Sequence, residues 1–296
     1  MPAKVKSKVS STVQRIAAKD IESEEARELF LASLPDYIFS TVGGNTSCVE
    51  VATRERCRFI FDAGTGIREL GAEILAAKKP AHCHLFFSHF HWDHIQGLPF
   101  FGPAFDPHYS LSFYSPVPEF KSILEGQMKP PYFPVTMDVM SAEKEFRVLN
   151  GGCVNIGGVK ISYRPMNHPG GCYSYAIEEG GVKAIYSTDT ELREEDFRRT
   201  RENQEYFQGA DILVLDTQYT LGEAIEKYNW GHSSFSLASD FAATWGIRRL
   251  VLFHHEPSYS DLKIESMFKN ASWYIDHLES RGIDVFLARE GLEVEV

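Results

Sequence analysis

The hexapeptide at residues 89–94, His-Phe-His-Trp-Asp-His, places three imidazoles and one carboxylate within six positions. Imidazole nitrogen and carboxylate oxygen are the ligands that Zn²⁺ and similar first-row ions prefer. A structural role rarely requires three histidines so close together, because one histidine suffices for a cap or a hydrogen bond. The apolar run 85–87 before it predicts a strand that ends in a tight turn. Such a turn can direct the first two histidines at one metal ion, and Asp93 with His94 at a second.

Further candidate ligands each follow a predicted apolar strand, and they are His168, Asp189 and His254. A two-metal hydrolase needs more ligands than one hexapeptide provides. Any one of these three residues alone is as well explained by a turn cap as by a ligand. Their joint placement behind the hexapeptide favours one shared site where several strand ends converge. The predicted ligands are His89, His91, Asp93, His94, His168, Asp189 and His254.

The elements that position these residues predict an α/β sandwich with helices on the outside. Alternating or continuous apolar runs and Gly-rich turns define the strands. Three helices are predicted in this region, at 66–77, 234–245 and about 259–280. The predicted strands are 47–52, 58–62, 83–88, 146–149, 153–156, 159–164, 173–177, 183–187, 211–216, 249–253, 283–288 and 292–296.

The chain is expected to divide into an N-terminal extension, residues 1–40, and one domain, residues 41–296. Within the extension, residues 1–20 are polar and expected to be loosely ordered, whereas 21–34 have mixed helical spacing. The segment 98–140 is rich in proline and aromatic residues. It is too apolar for a linker and is expected to form an ordered, irregular wall over a cleft.

Composition describes an ordinary globular protein of 296 residues, with 43% apolar and 24% charged residues. The net charge of −11 argues against a broad nucleic-acid-binding surface, which needs clustered Lys and Arg. The five cysteines form no C-x-x-C pair and favour a reduced setting over disulfides. The chain shows no secretory signal and no apolar run long enough for a membrane span. We therefore expect a cytoplasmic protein without a membrane partner.

The H-x-H-x-D-H spacing resembles the signature of the metallo-β-lactamase fold superfamily, whose remaining motifs match the other candidate ligands in order. The resemblance implies an αββα sandwich and two divalent ions, with Zn²⁺ expected first and Mn²⁺ or iron as alternatives. It assigns one metal to His89, His91 and His168, and the other to Asp93, His94 and His254. Asp189 would bridge the two ions. Asp62 matches a family position that orients the metal loop from behind.

Motifs between about residues 42 and 262 resemble one branch of that superfamily. This branch contains cyclic-nucleotide and cyclic phosphoribosyl phosphodiesterases and, more distantly, tRNase Z. The motifs include Gly43-Gly44-Asn45-Thr46, the FDAGTGIRELG stretch, HWDHIQGLPFF, PPYFPV, Trp230-Gly231-His232-Ser233 and LFHHEP. The chain departs from the branch before this region, where residues 33–39 replace a G-x-R-G-S-like turn. The resemblance therefore assigns no substrate contact to residues 33–39.

Hydrolysis by this family implies attack of a metal-bridging hydroxide on the substrate. A leaving alkoxide also needs a proton, and His232 with Asp216 as its carboxylate partner is the predicted donor pair. In tRNase Z a carboxylate and a G-H-S histidine are assigned this task, and Asp216 stands where Glu is usual. We expect Asp93, Asp216 and His232 to be the catalytic side chains.

The predicted function is metal-dependent hydrolysis of a small phosphodiester, with cyclic nucleotides as the candidate substrates. A tRNase Z-like endoribonuclease is the first alternative, although the interval from His168 to Asp189 leaves no room for its exosite arm. A thioester or lactone hydrolase is a second alternative, and a metal-stabilised binding module is the non-enzyme alternative. Large nucleic acids are not expected as partners. The sequence leaves the oligomeric state open, with a homodimer among the options.

Other residues carry weaker signals. His82 and His84 flank Cys83, but strand alternation puts them on the opposite face, so packing is the better interpretation. His255 competes with His254 for the ligand position. An arginine cluster at 193–201 is interleaved with acidic residues and is expected to be a solvated helix face. An aromatic wall is expected either to stack on a base or to pack in the core, and it consists of Phe100, Phe101, Tyr132 and Phe133.

Overall fold

The computed structural model describes residues 3–39, 41–53, 57–278 and 282–296. The chain begins with three helices, α1 (Ala3–Val13), α2 (Glu24–Ala32) and α3 (Asp36–Phe39). The helical turn expected in the extension is therefore present in α2. Residues 3–13 are helical rather than loosely ordered, which corrects the expectation for the first twenty residues. The proposed boundary lies at residue 40, outside the described residues, and stays a prediction.

The first sheet has five strands in the order β1-β2-β3-β4-β5. The β1–β2 pair is antiparallel, and the remaining pairs are parallel. Helices cover its outer face, and they are α4 (Ile67–Ala76), α5 (Trp92–Ile95) and α6 (Phe120–Gln127). The strands are β1 (Val49–Ala52), β2 (Arg58–Phe61), β3 (His82–Phe86), β4 (Ser110–Ser115) and β5 (Glu143–Val148).

The second sheet has seven strands in the order β12-β11-β10-β9-β8-β7-β6. Strands β6 to β9 form an antiparallel meander, and β9 to β12 are parallel. The strands are β6 (Cys153–Ile156), β7 (Val159–Met166), β8 (Cys172–Glu179), β9 (Val182–Ser187), β10 (Ile212–Asp216), β11 (Arg249–Phe253) and β12 (Asp284–Leu287). Its helices are α7 (Glu194–Phe197), α8 (Arg201–Phe207), α9 (Leu221–Glu226), α10 (Phe235–Trp245) and α11 (Asp261–His277).

The two sheets pack face to face through an aromatic core that includes Phe61, Phe86 and Tyr186. Alternation along β3 sends Phe86 into this core and sends Cys83 and Leu85 to the outer face, against the helices. Helices α10 and α11 bury their apolar faces on the second sheet. The αββα sandwich and the α/β class expected from the sequence are thereby confirmed.

Two stretches differ from the expected elements. The segment 98–140 contains a full strand, β4, and a helix, α6, where an irregular wall was expected. The prolines of this segment lie outside these two elements. They interrupt the hydrophobic periodicity from which a strand or a helix is predicted. Residues 292–296 form no strand, although their alternation suggests one. None of the described helices combines the length and apolar character needed to cross a lipid bilayer.

Close backbone approach fixes the loop after β2 against the end of α5. Gly97 donates its N–H to the Ala63 carbonyl over 2.9 Å. A Cβ atom at Gly97 would lie 2.0 Å from the Gly64 carbonyl oxygen, a backbone atom that cannot swing away. This contact holds the hexapeptide loop next to the loop that carries Asp62.

We expect Gly97→Ala to lower the free energy of unfolding by about 1–3 kcal/mol, the usual cost of overpacking. Gly126 is the matched control, because it lies within helix α6 and an added Cβ there meets no atom within 4 Å. Gly126→Ala should be neutral or stabilising. Urea unfolding of both variants measures the difference. Equal stability of the two variants would contradict the packing argument.

Candidate metal centre

The candidate ligands lie at strand ends on one edge of the sandwich. The hexapeptide follows β3, so His89 and His91 lie in the loop, whereas Asp93 and His94 lie on the short helix α5. The others follow β7, β9 and β11 in the second sheet, and they are His168, Asp189 and His254. The edge therefore collects side chains from both sheets.

These side chains form two clusters that share Asp189. In each cluster the potential ligand atoms all lie within 4.8 Å of one another. The first cluster contains His89, His91, His168 and Asp189. The second cluster contains Asp93, His94, His254 and Asp189.

The Asp189 carboxylate divides its two oxygens between the clusters. Its Oδ2 lies 3.5 Å from His89 Nε2 and 3.7 Å from His168 Nε2. Its Oδ1 lies 3.1 Å from both His94 Nε2 and His254 Nε2. One buried carboxylate thus faces both clusters at once, as a bridging ligand must.

The spacing of the donor atoms fits ligands of a shared metal ion. For metal–nitrogen bonds of about 2.05 Å, tetrahedral geometry separates the ligand atoms by roughly 3.4 Å. In the second cluster, Asp93 Oδ2 lies 3.3 Å from His94 Nε2 and 3.4 Å from His254 Nε2. The Nε2 atoms of His89 and His94 are buried, and among the described residues neither has a hydrogen-bond partner. Buried polar atoms without partners are costly, so these nitrogens fit a coordinated cation.

The charged groups of the two clusters shift the pKa values of their neighbours. Burial lowers the pKa of His89 to about 2, and the charge of His94 adds to the effect. Burial also opposes charge on His94, but Asp189 and Asp62 outweigh it and raise its pKa well above the ordinary value. Burial opposes charge on His254 as well, yet Asp189 and Asp93 raise its pKa to about 9. The carboxylates therefore favour positive charge at His94 and His254.

Asp62 holds the hexapeptide loop from behind. Its Oδ1 accepts the Ser88 N–H over 2.7 Å, and its Oδ2 accepts the Ser88 hydroxyl over 2.6 Å. The same Oδ2 accepts the Tyr186 hydroxyl over 2.7 Å and His94 Nδ1 over 2.8 Å. Because Nδ1 of His94 is occupied, its Nε2 is left to face the cluster.

Backbone strain is concentrated in this region. Asp62, Asp189 and His254 have φ angles of 61°, 41° and 60°. Residues other than glycine enter this left-handed region at a cost, and they do so mainly at functional sites. The surrounding packing therefore stabilises a backbone that presents these side chains to the cluster.

Asp216 and His232 form a hydrogen-bonded pair beside the two clusters. His232 Nδ1 donates to Asp216 Oδ2 over 2.6 Å, and Asp216 is fully buried. The His232 ring stacks on the His254 ring, with centroids 5.1 Å apart, and meets the His168 ring edge-on at 5.2 Å. The pair is thus in contact with histidines of both clusters.

Asp216 is itself held by three backbone N–H groups. They belong to Thr190, Gln218 and Ser233, at 3.2, 3.0 and 3.3 Å. Each N–H donates to the carboxylate and fixes its position. Asp216 in turn keeps the His232 ring in one orientation, with Nε2 available for a reacting group.

The competing candidates from the sequence lie elsewhere. His255 bonds the Ala288 carbonyl over 2.9 Å and is absent from both clusters. His82 and His84 stack on each other at 4.3 Å, whereas Cys83 packs in the core of the opposite face. Two members of the arginine cluster form i,i+4 ion pairs at the surface, Arg198 with Glu194 and Arg201 with Glu205, whereas Arg193 and Arg199 contact other segments.

The aromatic wall divides between core and surface. Phe101 is fully buried and Phe133 partly buried, whereas Phe100 and Tyr132 are 57% and 74% exposed. Two tryptophans that the sequence interpretation did not single out are exposed beside candidate site residues. Trp92 follows His91 directly and is 77% exposed, and Trp230 is 62% exposed. The sequence signal for both tryptophans was their place in motifs that also contain candidate site residues, 89–94 and 230–233.

Comparison with known proteins identifies the domain family and several ribonuclease Z relatives of this chain. The family model described as "Beta-lactamase superfamily domain" matches residues 57–255. Ribonuclease Z of a Synechococcus strain is 34% identical over 82 residues, which are 28% of this chain and 24% of that protein. The chain thus spans about a quarter of the length of the first curated relatives it matches. Ribonuclease Z of Methanothermobacter thermautotrophicus is 23% identical, with 70% of this chain and 80% of that protein covered.

Solved structures share the fold at low sequence identity. The metallo-β-lactamase fold protein YhfI from Bacillus subtilis has a TM-score of 0.63 and 17% identity, covering 85% of this chain and 92% of its own. A diphosphatase from the PhnP family has a TM-score of 0.61 and 20% identity, covering 90% and 89%. The family model spans more than half of the chain, and the fold agrees with it. The chain therefore belongs to the Beta-lactamase superfamily domain family and has the metallo-β-lactamase fold.

Proposed function

We propose that this protein is a dinuclear phosphodiesterase that acts on small phosphodiesters. The first cluster would hold one divalent ion and the second cluster the other, with Asp189 bridging them. Zn²⁺ suits the nitrogen and oxygen donors, and Mn²⁺ or iron would also be accepted by this ligand set. When bound, two such ions supply an activated water and neutralise charge on the phosphoryl oxygens.

The observation that carries the proposal is the Asp216–His232 pair. Asp216 fixes Nδ1 of His232 over 2.6 Å, which leaves Nε2 to give a proton to a departing alkoxide. Phosphodiester cleavage releases a basic alkoxide and needs such a donor. Thiolate leaving groups are less basic, and a lactone's leaving oxygen stays attached, so those substrates need the pair less. A purely metal-stabilised binding module would need no donor pair.

The relatives support the same chemistry. The names ribonuclease Z and diphosphatase both describe cleavage of phosphorus–oxygen bonds. The ribonuclease Z relatives favour RNA processing as the second candidate function. Two features favour a small substrate instead. The net charge is −11, and the antiparallel pair Cys172–Glu179 and Val182–Ser187 occupies most of the interval from His168 to Asp189.

Asp189→Asn tests the bridging role, because asparagine keeps the shape and tolerates positive φ but loses the charge. We expect bound metal to fall from about two ions per chain to below one, and activity to fall more than about 100-fold. Elemental analysis and a diesterase assay measure both. Asp138→Ala, at an exposed aspartate outside the two clusters, is the control and should change neither. Full metal content in Asp189→Asn would contradict the bridge.

His232→Ala tests the proton donor. It should slow cleavage of diesters with basic leaving groups by roughly 10²–10⁴-fold, the usual contribution of a general acid. The rate of cleavage of an activated aryl diester should fall far less, and the metal content of the variant should be unchanged. His108→Ala is the control, because the His108 side chain is 76% exposed and pairs with Asp106. Equal losses on both substrates would rule out proton donation by His232.

Salt dependence tests the size of the substrate. The value of kcat/KM for a cyclic nucleotide should change by less than about threefold between 50 and 200 mM salt, because few phosphates are neutralised. A protein that binds a tRNA body would lose about 10³-fold or more over this range. Both substrates are assayed with the same metal. Efficient, strongly salt-sensitive cleavage of precursor tRNA, with no turnover of cyclic nucleotides, would favour the ribonuclease.

A further inference from the structure

We propose that Glu191 is a positioning residue that joins two strand-end loops to the loop between α9 and α10, and that it holds His168 and the His232 loop in register. The inference rests on the proposed function for the roles of His168 and His232. Glu191 lies two residues after Asp189, is only 8% exposed, and belongs to neither cluster. A carboxylate is rarely buried without a specific partner, so its contacts indicate its role.

The backbone of Glu191 is tied to the loop that carries His168. The Glu191 N–H donates to the Asn167 carbonyl over 2.9 Å. In return, the Asn167 side-chain amide donates to the Glu191 carbonyl over 3.2 Å. These two bonds join the loop after β7 to the loop after β9, directly beside His168.

The side chain of Glu191 reaches a third loop. Its Oε2 accepts the Gly231 N–H over 3.0 Å. The carbonyl of the same glycine accepts His168 Nδ1 over 2.9 Å. The contacts therefore close a ring that runs from His168 through Asn167, Glu191 and Gly231 back to the His168 imidazole. Fixing Nδ1 leaves Nε2 of His168 directed at the first cluster.

Gly231 is required for this ring. Its φ angle is +88°, a region that glycine enters without strain. A Cβ atom there would lie 2.3 Å from His168 Nδ1. The backbone thus approaches the imidazole more closely than any other residue would allow, and the Glu191 carboxylate is what holds that backbone.

Arg193 supports the same loop from the other side of Glu191. Its Nη2 donates to Asn229 Oδ1 over 2.8 Å and lies 3.6 Å from Glu191 Oε1. Its guanidinium also lies over the Tyr228 ring, 5.6 Å from the centroid. The loop before His232 is therefore held at Asn229 by Arg193 and at Gly231 by Glu191.

The Glu191 side chain therefore supports both the candidate metal ligand His168 and the proposed proton donor His232. Without the Glu191 carboxylate, the Gly231 N–H loses its acceptor, and the carbonyl that orients His168 is released. His232 follows Gly231 directly, so the donor would also lose its alignment. Glu191 acts through these neighbours and does not itself touch a reacting group.

Metal affinity measured by competition with a chromophoric Zn²⁺ chelator tests this role without any substrate. Glu191→Ala should weaken the binding of one of the two Zn²⁺ ions by about 10–100-fold, the usual cost of losing a residue that supports a metal ligand. Glu191→Gln still offers an acceptor to Gly231 and should lose less than about tenfold. Glu195→Ala, at an exposed glutamate four residues on, is the matched control and should bind both ions normally. If Glu191→Ala does not fold, Glu191→Met fills the same volume without an acceptor and replaces it.

A double-mutant cycle with His168→Ala separates positioning from general structure. Once His168 is gone, Glu191→Ala should weaken Zn²⁺ binding no further. Wild-type affinity in Glu191→Ala, or an equal additional loss in the His168→Ala background, would overturn the proposal. The titration is independent of the reaction. Absence of diesterase activity in the wild type, with these affinity changes intact, would therefore contradict the proposed function and not the role of Glu191.

Discussion

The structure depends on one electrostatic constraint, which is the burial of negative charge at the edge where the two sheets meet. Asp189 is almost fully buried, and its two oxygens face separate groups of imidazoles. Burial of a carboxylate without compensation is expensive, so cations must accompany it. Acidic side chains accumulate around this point, and they are Asp62, Asp93, Asp189, Glu191 and Asp216. Two divalent ions would balance most of that charge.

The rest of the architecture serves this arrangement. Strand ends from both sheets supply the candidate ligands. Buried acceptors fix Nδ1 of two of the imidazoles, Asp62 for His94 and the Gly231 carbonyl for His168. The strained backbone at Asp189 and His254 is tolerated because the surrounding hydrogen bonds and packing determine it fully.

The sequence predicted which candidate ligands would lie together better than it predicted the scaffold around them. The hexapeptide is contiguous, and His168, Asp189 and His254 each follow a recognisable apolar strand, so local patterns were sufficient to place them. Strand β4 and helix α6 were missed because proline and aromatic residues in 98–140 hide the periodicity. The apparent alternation of 292–296 did not produce a strand, since local propensity is decided by available pairing partners.

The hydrogen bonds that support the candidate ligands from outside the two clusters could not be predicted from the sequence, and the reason is different. Tyr186 bonds Asp62 across 124 positions of sequence, and Glu191 bonds Gly231 across 40. Neither residue carries a local signal of such a contact, because the partner is defined only once the two sheets have packed. The same holds for the contacts of His232 with two candidate ligands, His168 and His254.

X-ray absorption of the protein reconstituted with two equivalents of Zn²⁺ tests the central claim most directly. The account predicts a first shell of nitrogen and oxygen only, near 2.0–2.1 Å. It also predicts a metal–metal vector of about 3.5–4 Å, the separation usual for two-metal hydrolases. Sulfur in the first shell, or isolated ions without a metal–metal vector, would contradict a centre bridged by Asp189.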